Sequence, residues 1–471
     1  MSKLILTLLL SVCTLSFLNA QQKVPNESTL TVEQIMQGEK FVGYLPERIH
    51  WSDDSKHIYF SWNPDGDTLR SIYRVGTSGG TPVKLDTEAL RNKPSRFGSY
   101  NKARTKKLYN KSGDIYMLDI NKGTSVQISN TIESESNPQF SGDEQWVIFR
   151  KGNNLFAWHT ETGSIRQLSN FVSGSEKKEL TQKENEAWLE RDQLEYFEIL
   201  RQRKETEEAE ERRDELLKAD RPTAIYLKGM RISSLQASPD LKYITYRLTK
   251  NAKSKGTKVP SYVSESGYID DLRSRSKVGT PQNTYKMGIY DVAKDSAFTI
   301  DPKQLPGIYD KPAFLKDYHK GETPFEDQYK KPREVIMHGP IWSDDGKALV
   351  VVRSLDNKDR WVCLLDPSDR KLKVLDRQRD EAWVGGPGIS SWNFTTGNVG
   401  WLADNVTIYL QSEESGYSHL YLINTRTGNK KALTTGDYEI RSAQLSHDKQ
   451  YFYINANKVS PHEQHFYRLS A

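Results

Sequence analysis

Apolar and polar residues alternate in short bursts along this chain, and each burst is tied to a serine and an acidic turn. The clearest are "IHWSDDSKHIYFSW" from Ile49, "PQFSGDEQWVIFR" from Pro138, "LQASPDLKYITYR" from Leu235, "GPIWSDDGKALVVVR" from Gly339 and "AQLSHDKQYFYIN" from Ala443. A period of two sends successive side chains to opposite faces of an extended chain, so each burst predicts strands with one face turned inward. The Ser-Asp-Asp-Gly-type tetrapeptides predict tight turns, because Ser and Asp side chains bond to nearby backbone and Gly tolerates positive φ. The serines are Ser52, Ser141, Ser238, Ser343 and Ser446. They fall roughly 90 to 105 residues apart, about twice the ~40–50 residues of one propeller blade. Weaker copies lie between them, in "RFGSYNKARTKKLYN" around Ser99 and "VGWLADNVTIYLQS" around Asp404.

A strand, a short turn and a second strand follow each copy, as in "GDIYMLDINKGTSVQIS", "NLFAWHTETGSIRQLS", "MGIYDVAKDSAFTI", "WVCLLDPSDRKLKVL" and "HLYLINTRTGNKKALT". Each unit therefore predicts a four-stranded antiparallel sheet. One such sheet cannot bury both its faces, so the sheets stack around an axis. The expected class is all-β, a seven- or eight-bladed β-propeller over residues 21–471. Residues 381–396 are either an eighth blade's strands or a loop.

Three segments break the repeat. Residues 175–219 contain no Gly or Pro from Glu176 onward, are rich in helix formers, and predict a long charged α-helical insertion. Thr181 with Glu184 resembles a capping box. Trp188, Leu189, Leu194, Tyr196, Phe197 and Leu200 give the first half an apolar side. Arg203/Glu207, Lys204/Glu208 and Glu208/Arg212 support the second half as an exposed helix. The insertion reads either as a solvated arm or as an arm that docks a protein partner or gates substrate. Residues 251–284, rich in Lys, Ser and Gly, predict a mobile outer loop, and 301–333, with several Pro among Tyr and Phe, a segment packed over the propeller face.

Composition changes this picture little. The ten Trp, 24 Tyr and 15 Phe suit half-buried pleated surfaces. A formal charge of +5 spread over 471 residues predicts no nucleic-acid partner. Lys3, the apolar run Leu4–Leu18 and Leu18-Asn19-Ala20 before Gln21 read as a signal peptide over residues 1–20, hence export. No later run is apolar enough to span a membrane. Without the signal only Cys363 remains, which excludes an internal disulfide and suggests a buried strand thiol.

Candidate chemistry is sparse. Gly76-Thr77-Ser78-Gly79-Gly80 fits G-x-S-x-G, the pattern of a hydrolase nucleophile. Such a nucleophile needs a strand, a strained turn and then a helix. Here Thr81-Pro82-Val83 follows, so Ser78 is expected in the hairpin turn of the first blade's outer strands. His462 and His465 lack the spacing that puts two imidazoles on one helical face, and His319 and His338 are isolated. No catalytic, metal or cofactor-binding residue is predicted, and no substrate-binding residue is assigned.

Three stretches carry a family resemblance: "LTVEQIMQGEKFVGYLPERIHWSDD" (Leu30–Asp54), "RSKVGTPQNTYKMGIYDV" (Arg275–Val292) and "LQSEESGYSHLYLINTRTGNKKALTTGDYEI" (Leu410–Ile440). They resemble the N-terminal propeller of dipeptidyl peptidase IV-type enzymes, serine peptidases of the prolyl oligopeptidase clan. The resemblance implies a propeller that caps an α/β-hydrolase active site and filters substrates by size. No α/β-hydrolase pattern follows the last blade, so no catalytic residue carries over and the chain alone is expected to be inactive. The implied partners are a peptide substrate or a peptidase catalytic domain. The family also holds the substrate's amino terminus with adjacent glutamates on a short helix. In "AWLERDQLEYFE", Trp188 is present, but Glu190 and Asp192 are split by Arg191. Glu207-Glu208 and Glu210-Glu211 sit among charges that point to solvent, and Glu413-Glu414 is expected in a turn. The alternative is a stand-alone, TolB-like periplasmic propeller that binds proteins or peptides.

Overall fold

The structure is a computed structural model that describes residues 30–176, 184–219, 221–320, 324, 330–389 and 394–471. The expected signal peptide and Thr181 lie outside the described residues. By contacts the chain divides into two compact units, one running to Arg96 with Ile120–Thr124, the other comprising Phe97–Asp119 and Ser125–Ala471.

The first unit holds one antiparallel sheet, β1 (Glu47–Trp51), β2 (His57–Trp62), β3 (Ser71–Gly76) and β4 (Val83–Lys84). Two short helices, Val32–Met36 and Glu39–Val42, precede it, the first closed by a Thr31/Gln34 capping box. Ser78 sits in the turn between β3 and β4, where Gly79 N–H donates to the Gly76 carbonyl at 2.9 Å. A strand, not a helix, follows it, as the sequence predicts.

The second unit stacks six sheets in chain order. They are β5 (Ser99–Tyr100), β6 (Lys106–Lys111), β7 (Asp114–Asp119), β8 (Thr124–Gln127); β9 (Glu135–Phe140), β10 (Trp146–Lys151), β11 (Asn154–His159), β12 (Ile165–Gln167); and, after a short parallel pair β13 (Phe171–Val172) and β14 (Ile225–Tyr226), the sheet of β15 (Arg231–Ala237), β16 (Tyr243–Lys250), β19 (Thr284–Asp291) and β20 (Ser296–Thr299). Between β16 and β19 runs a separate hairpin, β17 (Gly256–Ser261) and β18 (Asp270–Ser276). Then come β21 (Val335–Trp342), β22 (Ala348–Ser354), β23 (Asp359–Asp366), β24 (Lys371–Arg379); β25 (Val399–Trp401), β26 (Thr407–Ser412), β27 (His419–Asn424), β28 (Lys430–Ala432); and a three-stranded sheet, β29 (Ile440–Leu445), β30 (Tyr451–Ala456), β31 (His465–Ser470). The fold class is an all-β, seven-bladed β-propeller with a helical insertion.

The strand β22 explains why sheets stack. All seven of its residues are buried. Ala348, Val350 and Val352 enter one core with Met287, Ile289 and Trp361, while Leu349 and Val351 enter another with Val399, Trp401 and Ile408. The two-residue period divides one strand between two neighbouring blades, and each buried Val or Leu contributes about 1.5–3 kcal/mol.

Several expectations change. The described residues within 381–396 contain no strand, and the blades number seven, not eight. The last blade has three described strands where four were expected. Residues 251–284 carry the β17–β18 hairpin, whose β-formers are exposed and so left no burial pattern to read. Asn101, not Ser99, closes the second blade's first turn: Ser99 already belongs to β5, and the Asn101 Oδ1 accepts from the amides of Thr105 and Lys106. Within 301–333, Leu305 and Ile308 are almost wholly buried in the Trp361 core.

The helical insertion forms as Glu184–Tyr196 and Glu198–Leu216, with no buried residue in either helix. Glu208 pairs with Arg212 as expected, whereas Lys204 reaches back to Glu190 at 2.6 Å. The parallel pair β13–β14 closes its base. No helix among the described residues is long and apolar enough to cross a membrane.

In an antiparallel four-stranded sheet the first and third turns share one end. The second turn and the crossover to the next blade share the other. In the second unit the first turns meet: Gly142 N–H donates to the Pro239 carbonyl at 2.7 Å, Asp344 N–H to Asn405 at 3.1 Å, and Lys449 pairs with Asp344 at 3.0 Å. This is the turn face. The long segments 173–224, 251–283, 300–334 and 380–398 all join strands at the opposite end, the insertion face.

Candidate functional site: an acid-lined cavity on the insertion face

Cavities occur at both faces of the second unit. One of about 480 Å³ opens on the turn face and is lined by Asp143, Asp240, Asp344, Asp345 and Arg166. Its carboxylates already have partners. Asp143, Asp240 and Asp345 each accept from the serine two residues earlier at 2.5–2.6 Å, and Asp344 is paired with Lys449. Those groups hold turns together.

The insertion-face cavity, about 290 Å³, lies between the end of β24, the following loop to Ile389, and Ser412–Glu414 at the β26–β27 turn. Its frame is a buried ion network. The Asp359 carboxylate, fully buried at the start of β23, accepts from Arg333 Nη2 at 2.6 Å, Arg377 Nε at 2.7 Å and Arg379 Nη1 at 2.8 Å. Arg333 also meets Asp356, Arg377 meets Asp310, and Arg379 meets Glu381. The segment 301–333, the β22–β23 turn and the loop after β24 are thereby joined around one carboxylate. Such a centre is held by mutual compensation, since a buried charge without a partner is costly.

The opposite wall is the turn Glu413–Gly416, closed by Gly416 N–H donating to the Glu413 carbonyl at 2.9 Å. Adjacent glutamates part here. Glu414 is neutralised by Lys430, which also binds Asp376 at 2.6 Å. Glu413 instead lies over Gly386, where a Cβ would stand 1.8 Å from its Oε1. Burial, then the neighbouring charges of Glu439 and Asp380, push the Glu413 carboxyl above the usual glutamate range. Among the described residues none of Glu413, Asp380 and Glu439 has a lysine, arginine or histidine within ion-pair range. Asp380 accepts from the amides of Ala382 and Trp383, and Glu439 from that of Ser418. The indole of Trp383, 63% exposed, stands on the same rim. An aromatic face beside clustered carboxylates is chemistry suited to an organic cation.

The stretch Leu410–Ile440 supports this wall from beneath. The buried Gln411 Nε2 donates to Ser418 Oγ at 3.1 Å and to the Ile440 carbonyl at 3.0 Å, and its Oε1 accepts from Asn398 at 2.8 Å. His419 Nε2 donates to the Gly436 carbonyl at 2.8 Å, so Nδ1 accepts from the Thr434 hydroxyl at 3.0 Å. Most of what makes this stretch recognisable is thus architectural.

The other candidates fall apart in space. Trp188, Glu190 and Asp192 lie on the insertion helix, and Glu190 is taken by Lys204 rather than by Arg191. Glu207, Glu208, Glu210 and Glu211 are exposed. His462 lies in the turn before β31, and His465 contacts Glu463 at 3.0 Å. His338 Nδ1 lies 3.3 Å from Arg247. Cys363 is buried, and its thiol is pushed up to about 12. Among the described residues no group of three or more His, Cys, Asp or Glu is placed to hold a metal. Sequence reasoning missed the Asp359 network and the special position of Glu413. The one available signal was arginine inside apolar strands, in "VVVRS" and "DRWVCLL".

The fold and cavity define a β-propeller with plain turns at one end and a worked recess among insertions at the other. The profile of the family described as "Dipeptidyl peptidase IV (DPP IV) N-terminal region" matches residues 233–471, just over half the chain. The chain belongs to that family. Two of the three resembling stretches, Arg275–Val292 and Leu410–Ile440, fall inside the match. No curated protein matches the chain. The crystal structure of Porphyromonas gingivalis dipeptidyl peptidase 4 is similar, with a TM-score of 0.51 and 13% identity, covering 94% of this chain and 54% of that one. That of a protein assigned as dipeptidyl aminopeptidase IV from Bacteroides ovatus has a TM-score of 0.47 and 11% identity, covering 91% and 52%. The chain spans about half the length of these solved structures, and the likeness is one of fold.

Proposed function

We propose that this chain is the exported, substrate-admitting propeller of a dipeptidyl peptidase IV-type serine peptidase, and that its insertion-face cavity holds the amino terminus of a peptide. The observation that carries the reading is Glu413, a carboxylate with two further carboxylates near it and no cation against it among the described residues. A peptide ammonium supplies the missing charge, and Trp383 offers its face to the first side chain. Bond cleavage falls to a separate hydrolase domain, because Ser78 sits in an outer hairpin with no helix behind it. Family membership supports the role beside a peptidase. The leader-like residues 1–20 support export.

Calorimetric titration with trialanine and its N-acetyl form tests the cavity. The free amine should bind about tenfold or more tightly, the scale of a hydrogen bond to a charged group, and Glu413→Gln should erase the difference. Because Glu413 protonates above the ordinary range, amine affinity should fall on acidification before an ordinary glutamate would titrate. Equal affinity for both peptides refutes the amine site. Turnover of a dipeptide amide that Ser78→Ala abolishes refutes the division of labour. Secretion from the native leader should leave Gln21 as the new amino terminus.

A further inference from the structure

Two arginines lie buried in apolar strands beneath the cavity wall. Arg353 on β22 and Arg360 on β23 are register partners, directly opposite each other, and their exposures are 1% and 0%. Like charges placed opposite on neighbouring strands repel, and burial makes this worse. The Arg360 guanidinium is accordingly pushed down to about 10, by burial first and then by Arg353. Among the described residues Arg360 has no carboxylate within ion-pair range, and its Nε has no hydrogen-bond partner. The rest of β22 is apolar from Ala348 to Val352, so packing alone would favour a valine or leucine at both positions.

Their Nη donors reach chain that lines the cavity or adjoins it. Arg353 Nη1 donates to the Ile389 carbonyl and Nη2 to the Val384 carbonyl, both at 2.9 Å. Arg360 Nη2 donates to the Thr396 carbonyl at 2.8 Å, and Nη1 to the Gln411 carbonyl at 3.1 Å and Gln378 Oε1 at 3.2 Å. Val384 and Ile389 bracket Gly386, the residue on which the Glu413 carboxylate rests. Gln411 lies two residues before Glu413. The two guanidiniums thus hold both sides of the recess.

We propose that Arg353 and Arg360 are positioning residues that fix the 384–389 wall against Glu413 and so set its affinity for an amine. This rests on the amine reading above. A guanidinium reaches two carbonyls at once, whereas an ammonium is a single point donor.

The test uses the full chain with Arg353→Lys and Arg360→Lys made separately, so that either variant that folds reports. Amide hydrogen exchange at Val384, Ile389 and Asn398 should quicken about tenfold, while Ser141 and Ser238 amides on the turn face stay unchanged. Trialanine affinity should fall about tenfold, and its acid loss should shift toward ordinary glutamate pH as Glu413 is released from burial. If exchange quickens and trialanine binds unchanged, the positioning role is overturned. If exchange is unchanged, the clamp itself is overturned. If wild type fails to distinguish trialanine from its acetylated form, the amine reading fails, and the exchange result still decides the clamp.

Discussion

The two ends of the blades are built from the same strands and differ in nearly everything else. At the turn face Ser141, Ser238, Ser343 and Ser446 each donate to an aspartate two residues on and accept an amide four or five residues on, and Ser52 in the first unit makes the same pair of bonds. Each of these serine bonds closes within one turn. At the insertion face the crossings range from short links, as 128–134 and 433–439, to long ones, as 300–334, and charges meet across long stretches of chain, as Arg333 with Asp359 and Arg377 with Asp310. A propeller needs its strands to repeat, but it makes no demand on the lengths of the segments between blades. One end has stayed a structural repeat, and the other has room for a site.

The largest difference should appear on removing a carboxylate from each end. Asp359→Asn leaves three guanidiniums around a neutral amide and should cost about 3–5 kcal/mol in denaturant unfolding. Asp143→Asn loses turn hydrogen bonds and should cost about 1 kcal/mol. Similar losses would mean the two ends are held alike.

Acid should separate the ends by sign. At Asp54, Asp143 and Asp448 the serine hydroxyl is the largest influence and holds the carboxyl below its usual value. At Asp240 and Asp345 burial is the largest effect and opposes, yet the hydrogen bonds and lysines leave the net shift downward. Stability from these groups is present above the unfolded carboxylate value and is lost as pH falls through the depressed ones, below about pH 4. Glu413 is shifted upward, so its charge destabilises the fold above the unfolded value. Glu413→Gln should therefore be slightly more stable than wild type near neutrality, and the difference should vanish below about pH 4. A pH series of melting curves reads both signs.

Two glycines sharpen the contrast. Gly346 at the turn face and Gly386 in the cavity have φ of 87° and 110°. Alanine at either should cost about 1–2 kcal/mol for the left-handed backbone. At Gly346 a Cβ meets nothing within 4 Å, whereas at Gly386 it meets the Glu413 carboxylate. Only Gly386→Ala should weaken trialanine binding. The smallest effect belongs to Ser78→Ala, which should shift stability by less than about 0.5 kcal/mol.

The hairpin turn at Gly76–Gly80 is legible from its neighbours alone, since Pro82 and Val83 oppose a helix there and favour the strand that follows. Harder to read was residues 251–284, where Val259 and Leu272 pair in a hairpin with no buried face. Glu413-Glu414 was legible as a turn, but not as one glutamate neutralised by Lys430 and one left facing Glu439 and Asp380.

What the sequence determined by itself is whatever closes locally: the two-residue alternation, the Ser–Asp turns, the helical insertion, and hence a chain of stacked sheets. Tertiary structure alone decided the cavity. Its contacts, Arg353 to Val384 and Ile389, Arg360 to Gln411 and Glu413 over Gly386, join residues tens of positions apart through loops of unconstrained length. Alternation tells a residue which face it occupies. It carries no record of which distant charge will stand opposite once the blades have stacked.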